Sequence, residues 1–524
     1  MLCSSRCTVA HSVQYEMLES RRTLHLSLAL NAVLVAGAWL AFWYLTGDAQ
    51  LLCRPGLEVA AVESSPAPQV PVSSAPVSPQ AGRCDVCASD VGRRLCNAYG
   101  AEIVARTMAF TQGNTRLQRV LAKWRAGKPV RLGVIGGSNS AGQGVWADNQ
   151  MMYSQLNMHV QLFNYLDARF PQRGKVMEAT GGGDENSFVN GAKFGRGTEY
   201  FTMCSDVHLP EELDLVVVEF AVNDQYNLEA TEAYEFLVRY LLERPGSPAV
   251  LELQTFGYEF DKVLTGGGSH LATNLYYNIP TIAPRTLFYD GAQHNVTKFW
   301  DWFYWYNPHE VPADLHGVDL RHFGPGGHRV SAELMEAYIE QQLCEMDYTE
   351  EQAGTRDIDT LYPVQPVHPL SLMSAFSRDH PGAAMRRLAP KCQSIDSDSH
   401  PLTPVHSDGW ERWTWTGDNG KTKTYLRATQ PGATVTFDLG AVTSRVEIFY
   451  LRSKAFGLGS LECTLNGEHA KTIHGWWDKA ENIGQSTRWR NIEAGDYRLE
   501  CELLGETKDP GGGTEFRIMA VMSI

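Results

Sequence analysis

Three short segments of the sequence carry side chains that could act together on an ester. The first contains Ser138, which stands among glycines in residues 136–142, directly after the apolar segment 128–136. A serine on a tight turn between a strand and a helix is exposed and is a candidate nucleophile. The alternative is a phosphate-binding loop. It is disfavoured because the segment lacks the Gly-Lys-Ser/Thr ending and the spaced glycines of a dinucleotide-binding turn.

The second segment, residues 221–224, ends the most hydrophobic predicted strand, and the third runs from Asp319 to His322. The amide of Asn223 could donate a hydrogen bond to a developing oxyanion, although Asn-Asp at a strand end is also typical of a turn or cap. Asp319 and His322 can touch within one turn. The carboxylate would then fix the imidazole tautomer while the other ring nitrogen faces the serine.

The third segment allows two other interpretations. One is an N-capping aspartate followed by a surface histidine. The other is a metal site formed by His316, Asp319, His322 and His328. A metal is disfavoured because no other acidic or histidine cluster has a defined ligand spacing. We therefore predict neither a metal nor another cofactor.

The elements around these residues predict an α/β domain with a parallel sheet. Strand patterns occur at 128–136, 174–180, 213–222 and 249–256, and helix patterns at 153–170, 229–244 and 328–346. Ligands of such sheets bind outside the carboxyl ends of the strands. Ser138 and Asn223 both follow such an end.

Together the three segments resemble the SGNH, or GDSL-like, hydrolase superfamily, and the resemblance covers roughly residues 128–347. It implies a three-layer, flavodoxin-like domain, which we assign to residues 84–347. By the same resemblance, Ser138 is the nucleophile, His322 the general base and Asp319 its orienting partner.

The resemblance also implies an oxyanion hole. Its donors would be the backbone N–H of Ser138, the side chain of Asn223 and the backbone N–H of a glycine after the second strand. Gly195 has the better spacing for this last role, and Gly197 is the alternative.

Two positions depart from the family pattern. Gly137 stands where the family has the aspartate of Gly-Asp-Ser, and Ala221 stands where it has the glycine of Gly-x-Asn-Asp. Neither departure removes a reacting group.

These residues predict an acyl-enzyme, which either water or a sugar hydroxyl could discharge. We predict a serine esterase that acts on O-acyl groups, in particular O-acetyl groups, of a glycan. A polysaccharide O-acetyltransferase with the same triad is the alternative, and a lipid esterase is disfavoured because no apolar lid segment is apparent. A non-catalytic glycan-binding protein is disfavoured because all four polar residues are present.

Residues 400–524 predict a different architecture, an all-β sandwich or jelly roll, after a connector at 348–399. Short strand patterns lie at 433–439, 445–451, 461–465, 497–503 and 515–522. Six of the 13 tryptophans fall in this domain: Trp410, Trp413, Trp415, Trp476, Trp477 and Trp489. Such a sandwich resembles accessory carbohydrate-binding modules, which bind sugars with exposed rings. Cys463 and Cys501 could form a disulfide if their strands are neighbours.

Two further features are ambiguous. The aromatic run at 299–306 could line a glycan groove, but core packing is the better interpretation for about half of its residues. For His270 we expect a structural role.

The N-terminal segment predicts a membrane anchor. Residues 23–47 contain no Asp, Glu, Lys or Arg and are long enough to cross a bilayer as a helix. Arg21 and Arg22 precede them, which favours a cytoplasmic tail at 1–22. Residues 48–83 are rich in Pro and Ser and predict a stem. The sequence thus predicts a single-pass type II protein of the secretory pathway or cell surface, with a cleaved signal peptide as the alternative.

The composition of the chain limits which classes of partner it can bind. The chain has 45 Lys and Arg against 60 Asp and Glu, a formal net charge of −15, which argues against nucleic-acid binding. Nine of the 11 cysteines follow the predicted anchor. An oxidising lumen would pair most of them and leave at least one unpaired. Asn295-Val-Thr297 is a glycosylation sequon. The predicted partners are a glycan and, through the anchor, a membrane; the oligomeric state stays open.

Overall fold

The structure is a computed structural model that describes residues 84–112, 114–145, 151–172, 175–177, 183–257, 267–295, 302–305, 318–375, 389–417, 422–479 and 482–524. These residues belong to one compact unit, Ser78–Ile524. The predicted tail, anchor and stem lie outside the described residues, as do the last two residues of the sequon. In the described part of the chain, no helix is both long and apolar enough to span a bilayer.

A seven-stranded sheet forms the centre of the first domain. Its strands are β1 (Met108–Phe110), β2 (Arg131–Gly136), β3 (Lys175–Val176), β4 (Asn186–Asn190), β5 (Leu215–Glu219), β6 (Ala249–Leu253) and β7 (Thr281–Ile282). They lie in the order β1-β7-β6-β5-β2-β4-β3, in which β1 is antiparallel and the others are parallel. The predicted parallel sheet is confirmed. The carboxyl ends of its six parallel strands meet at one edge.

Helices cover both faces of this sheet. They are α1 (Asp90–Tyr99), α2 (Ala101–Thr107), α3 (Thr115–Arg125), α4 (Met158–Arg169), α5 (Thr198–Cys204), α6 (Leu228–Leu242), α7 (Gly267–Tyr277), α8 (Arg285–Asn295), α9 (Pro325–Ala353), α10 (Ile358–Leu361) and α11 (Leu372–Ala375). Successive side chains of a strand point to opposite faces. Accordingly, Leu215 and Val217 of β5 pack with α3, α4 and α9, whereas Val216 and Val218 pack with α5 and α6.

The second domain is the predicted antiparallel β-sandwich. Its strands are β10 (Lys391–Ser394), β11 (His406–Asp408), β12 (Glu411–Thr416), β13 (Thr422–Ala428), β14 (Thr434–Val442), β15 (Arg445–Arg452), β16 (Ser460–Leu465), β17 (Glu468–His474), β18 (Ile483–Arg490), β19 (Gly495–Leu503) and β20 (Phe516–Ser523). One sheet has the order β12-β13-β20-β15-β18, with β10 added beside β20, and the other has the order β11-β14-β19-β16-β17. Strand β10 therefore joins the sandwich from within the predicted connector.

Four disulfides join described cysteines: Cys84–Cys344, Cys87–Cys96, Cys204–Cys392 and Cys463–Cys501. The last of them links β16 to β19, which are neighbouring strands with Cys463 opposite Cys501. The sequence allowed this disulfide if the two strands were neighbours, and they are. Cys53 lies outside the described residues.

The two domains are joined covalently and by ion pairs. The disulfide Cys204–Cys392 links the end of α5 to β10. Arg196 Nη2 lies 2.5 Å from Asp396 Oδ2, and Arg488 Nη2 of β18 lies 3.1 Å from Glu199 Oε1 of α5. Since α5 follows the loop that contains Gly195, these contacts tie the sandwich to a segment predicted to take part in the site.

Candidate active site

The turn after β2 presents Ser138 at the carboxyl edge of the sheet. It leaves no room for side chains at the two preceding positions. A Cβ on Gly136 would lie 2.4 Å from Ser140 Oγ, and one on Gly137 would lie 1.9 Å from Asn223 Oδ1. A side chain at position 137 would therefore clash with the Asn223 amide, which occupies that space.

The structure brings Ser138, His322 and Asp319 into one hydrogen-bonded chain. Ser138 Oγ lies 2.8 Å from His322 Nε2, and His322 Nδ1 lies 2.7 Å from Asp319 Oδ2. A carboxylate only accepts hydrogen bonds, so Nδ1 carries the proton and Nε2 is left to accept from the serine hydroxyl. This is the arrangement that activates a serine nucleophile.

Asp319 is held in its charged form. Burial by itself would raise the pKa of this carboxyl. The hydrogen bond and charge of His322, together with the backbone N–H and charge of Arg321, outweigh burial and lower the pKa to about 2. Asp319 is only 2% exposed. It therefore stays a fixed acceptor for the imidazole at any pH near neutrality.

Asp319 and His322 are in contact, as the sequence predicted, but they meet on a strand and not within a turn. They lie on β9 (Val318–Phe323), which pairs with β8 (Phe303–Trp305). Residues three apart on a regular strand face opposite sides. The register of this pair is irregular, with Phe303 opposite Phe323 and Tyr304 opposite Asp319. The irregularity lets the two side chains converge.

A second layer of buried polar groups supports the serine turn from below. Ser140 donates to Glu219 Oε2 through its backbone N–H at 3.3 Å and its hydroxyl at 2.9 Å. Asn139 Oδ1 accepts from Phe323 N at 2.9 Å, which joins the serine turn to the strand of His322. Burial raises the pKa of the Glu219 carboxyl to about 7.

Besides Ser138, the two other predicted oxyanion donors, Asn223 and Gly195, lie in two loops at the same edge. Asn223 lies in a turn after β5 in which its backbone N–H donates to Phe220 O at 2.9 Å. Its amide is the group that packs against Gly137. The loop after β4 is joined to β2, since Lys193 N donates to Gly136 O at 3.0 Å.

The two candidate glycines of this loop differ. Gly195 has a φ of +68°, which favours glycine, and its carbonyl accepts from Gly484 N of the sandwich at 3.3 Å. Gly197 precedes α5, and a Cβ there would lie 2.3 Å from Asp224 Oδ1. The backbone angle at Gly195 and the close approach of Asp224 at Gly197 thus each favour glycine for structural reasons. The assignment of Gly195 as an oxyanion donor stays a prediction.

The proposed metal ligands do not assemble among the described residues. His316 lies outside them. His328 is buried, and its Nδ1 accepts from Met158 N at 3.1 Å. In the described ranges, no group of three or more His, Cys, Asp or Glu side chains is arranged to hold a metal ion.

The aromatic residues that were considered for sugar binding are buried or half-buried where the structure describes them. Trp302 and Phe303 are buried in the α/β core; residues 299–301 and 306 lie outside the described part. In the sandwich, Trp410, Trp477 and Trp489 are buried and serve packing. Trp413 is half-buried between Arg427 and Arg517, whose guanidinium carbons lie 4.1 and 4.8 Å from its ring centroid.

Two polar residues of the site were missed by the sequence. Glu219 stands inside an apolar strand, and Asp224 was considered only as part of a turn or cap. The signal for Asp224 was its position directly after Asn223. Its contacts are described below.

No protein-family model matches the sequence, and no curated protein matches it. Among solved structures, a two-domain esterase active on acetylated mannans, co-crystallised with mannopentaose, matches with a TM-score of 0.51 and 17% identity. The match covers 78% of this chain and 94% of that one. A second structure of a two-domain esterase active on acetylated mannans gives a TM-score of 0.50 at 17% identity, over 78% and 95% of the two chains. The protein thus shares the two-domain fold of these esterases, and at this identity the likeness concerns fold alone.

Proposed function

We propose that this protein is a serine esterase that removes O-acetyl groups from a glycan. The observation that carries the proposal is the chain from Ser138 Oγ through His322 to Asp319, with both distances below 3 Å. The fold is shared with esterases active on acetylated mannans. An acetylated mannan is therefore the first substrate to test.

The geometry supports a two-step mechanism. Ser138 Oγ attacks the acetyl carbonyl while His322 Nε2 takes the hydroxyl proton. N–H groups of Ser138, Asn223 and Gly195 hold the tetrahedral oxyanion. The ester C–O bond then breaks, and His322 returns the proton to the leaving sugar oxygen.

Hydrolysis of the acyl-enzyme repeats these events with water. His322 takes a proton from a water molecule, whose oxygen attacks the acyl carbonyl. Collapse of the second tetrahedral intermediate releases acetate and regenerates the Ser138 hydroxyl. A sugar hydroxyl in place of this water would give acetyl transfer through the same residues. Only an experiment with a sugar acceptor can therefore distinguish hydrolysis from acetyl transfer.

Replacement of Ser138 tests the proposal. We expect wild type to release acetate from acetylated mannan and p-nitrophenol from p-nitrophenyl acetate, and Ser138→Ala to lose at least about 10³-fold in kcat. Ser444→Ala, in an exposed turn of the sandwich, is the matched control and should behave as wild type. Equal inertness of wild type and Ser138→Ala on both substrates would refute the proposal. Acetylated products formed with an added oligosaccharide acceptor would instead favour the transferase.

We also propose that the protein is a type II membrane protein of the secretory pathway. The uncharged segment 23–47 and the four disulfides support this location, since disulfides persist in oxidising compartments. A protease-protection assay on microsomes checks it. Digestion of the folded domains in sealed vesicles would contradict a lumenal location.

A further inference from the structure

A buried charged chain lies directly behind the proposed oxyanion donors and takes no part in the mechanism above. His270 Nε2 lies 2.9 Å from Asp224 Oδ2, and His270 Nδ1 lies 2.6 Å from Glu252 Oε1. His270 and Glu252 are fully buried, and Asp224 is 7% exposed. Because a carboxylate can only accept, both ring nitrogens donate, and the imidazole carries a positive charge between two negative ones.

The surroundings of His270 keep it in this state. Burial alone would lower the pKa of the imidazole, but the charges of Glu252 and Asp224 and the hydrogen bonds to them raise it to about 9. The ring stacks on Tyr234 with centroids 3.7 Å apart and planes 8° from parallel. The remaining oxygen of Glu252 accepts from Gln254 Nε2 at 2.9 Å. The chain is thus anchored on β6 and on two helices, α6 and α7.

The other end of the chain reaches the loop after β4. Asp224 Oδ1 accepts from the backbone N–H of Thr198 at 2.8 Å, and Asp224 Oδ2 accepts from the Thr198 hydroxyl at 2.6 Å. Thr198 follows directly after residues 195–197, the segment with the two candidate glycines. Asp224 itself follows Asn223. One carboxylate therefore fastens together two of the three segments that would supply the donors, namely the Asn223 turn and the loop of the two glycines.

Small residues stand where a larger side chain would collide with Asp224 or with the neighbouring Ala221. A Cβ on Gly197 would lie 2.3 Å from Asp224 Oδ1. A Cβ on Gly267 would lie 3.0 Å from the Ala221 Cβ. The space left by Gly267 thus accommodates the methyl group of Ala221, which stands where the resemblance expects glycine.

We infer that Asp224 and His270 form a positioning pair for the oxyanion hole. The inference rests on the proposed function. Asp224 holds the Asn223 turn and the 195–198 loop at a fixed separation, and His270 holds Asp224 by a charge-assisted hydrogen bond from behind. Oxyanion donors act only when they are fixed where the charge develops, so loosening this pair lowers kcat and leaves ground-state substrate binding unchanged.

Two variants that weaken the contacts of Asp224, and a third that restores one of them, test the pair. In Asp224→Asn, one of the two acceptor oxygens becomes an NH2 group and the negative charge opposite His270 is lost. We expect kcat to fall about 10²-fold with KM within twofold of wild type. Thr198→Val removes one hydrogen bond at nearly constant shape, and we expect kcat to fall about 3- to 10-fold. Thr198→Ser keeps the hydroxyl and should restore kcat.

A matched control and a second readout separate positioning from stability. Glu235→Gln alters another buried carboxylate of the same domain, which accepts from Tyr277 Oη at 2.5 Å and from Met373 N at 3.1 Å. It should lower the melting temperature without changing kcat. Amide hydrogen exchange of residues 195–198 should be faster in Asp224→Asn and Thr198→Val than in wild type, and this measurement needs no turnover.

The outcomes distinguish the inference from the function. A wild type without esterase activity would refute the proposed function, while the exchange rates would still decide the positioning role. An active wild type with unchanged kcat in both variants would refute the inference. So would unchanged exchange of the loop, or a fall in kcat that Glu235→Gln reproduces.

Discussion

At the scale of single residues, the carboxyl groups around the serine differ in charge because their partners oppose the effect of burial to different degrees. Asp319 has several donors and a neighbouring imidazole, and its pKa falls to about 2. Burial raises the pKa of Glu219, under the serine turn, to about 7, although hydrogen bonds from Thr255 and Ser140 oppose this rise. One carboxyl thus orients the base as a permanent anion, and the other changes its charge near neutral pH.

The raised pKa of Glu219 gives the fold a pH dependence. The folded state binds this proton more tightly than the unfolded chain, so the contribution to stability is complete below about pH 4.5 and is lost as pH rises through about 7. Glu219→Gln stays neutral. We therefore expect the free energy of unfolding of wild type minus that of the variant to fall by roughly 3 kcal/mol between pH 4.5 and pH 8. Denaturant titrations at both pH values measure it, and a constant difference would contradict the raised pKa.

Ser138, Asn223, Asp319 and His322 were predicted because each stands in a short segment with an unusual local pattern, and the structure joins Ser138, His322 and Asp319 by hydrogen bonds. Glu219 and Asp224 could not be assigned in this way. Their roles depend on partners far away in the chain, such as Thr255 for Glu219 and His270 for Asp224. A single sequence does not reveal such pairings.

At the scale of elements, the serine turn depends on the absence of side chains. The Asn223 amide fills the space in which a side chain of residue 137 would stand. The turn and Asn223, the proposed oxyanion donor, are therefore a single packed unit, although more than 80 residues separate them in the sequence.

Gly137→Ala should displace Asn223 and leave the triad in place. We expect kcat for p-nitrophenyl acetate to fall about 10²-fold, because one oxyanion donor is lost. Gly183→Ala is the matched control, since a Cβ there meets nothing within 4 Å. A Gly137→Ala enzyme with the kcat of the control would show that the Asn223 amide does not act on the oxyanion.

Strand prediction succeeded where the sequence has a clear apolar or alternating pattern. The apolar segments of β2, β5 and β6 were predicted, as were five strands of the sandwich, β14, β15, β16, β19 and β20. Strand β4 was missed because its sequence, Asn-Ser-Phe-Val-Asn, is mostly polar. Its first side chain replaces a backbone partner, since Asn186 Oδ1 accepts from Val130 N at 3.1 Å. The irregular β8–β9 pair was missed because register depends on the partner strand.

At the scale of the whole molecule, the sandwich is fastened to the loop and helix beside the site. Cys204–Cys392, Arg196–Asp396 and Glu199–Arg488 all connect it to α5 or to the loop before α5. The second domain therefore supports the proposed oxyanion loop, whether or not it also binds glycan.

Removal of the interdomain disulfide should weaken both stability and activity. The double variant Cys204→Ser/Cys392→Ser should lose about 2–5 kcal/mol of unfolding free energy, and its kcat should fall because α5 is released. The control is Cys87→Ser/Cys96→Ser, which opens a link between residues only 9 apart, compared with 188. It should lose less stability and keep its kcat. Chemical denaturation and acetate release measure the two effects, and equal losses in the two variants would contradict this role.

The disulfide Cys204–Cys392 also constrains the order of events during synthesis and folding of the protein. Every group proposed for catalysis, from Ser138 to His322, leaves the ribosome before Cys392. Strand β10, which carries Cys392, pairs with β20, which follows all the other described strands. A nascent chain can therefore contain the complete triad while α5 still lacks its fastening. The α/β domain therefore gains its link to the sandwich only after β10 and β20 have been made and the two cysteines have been oxidised.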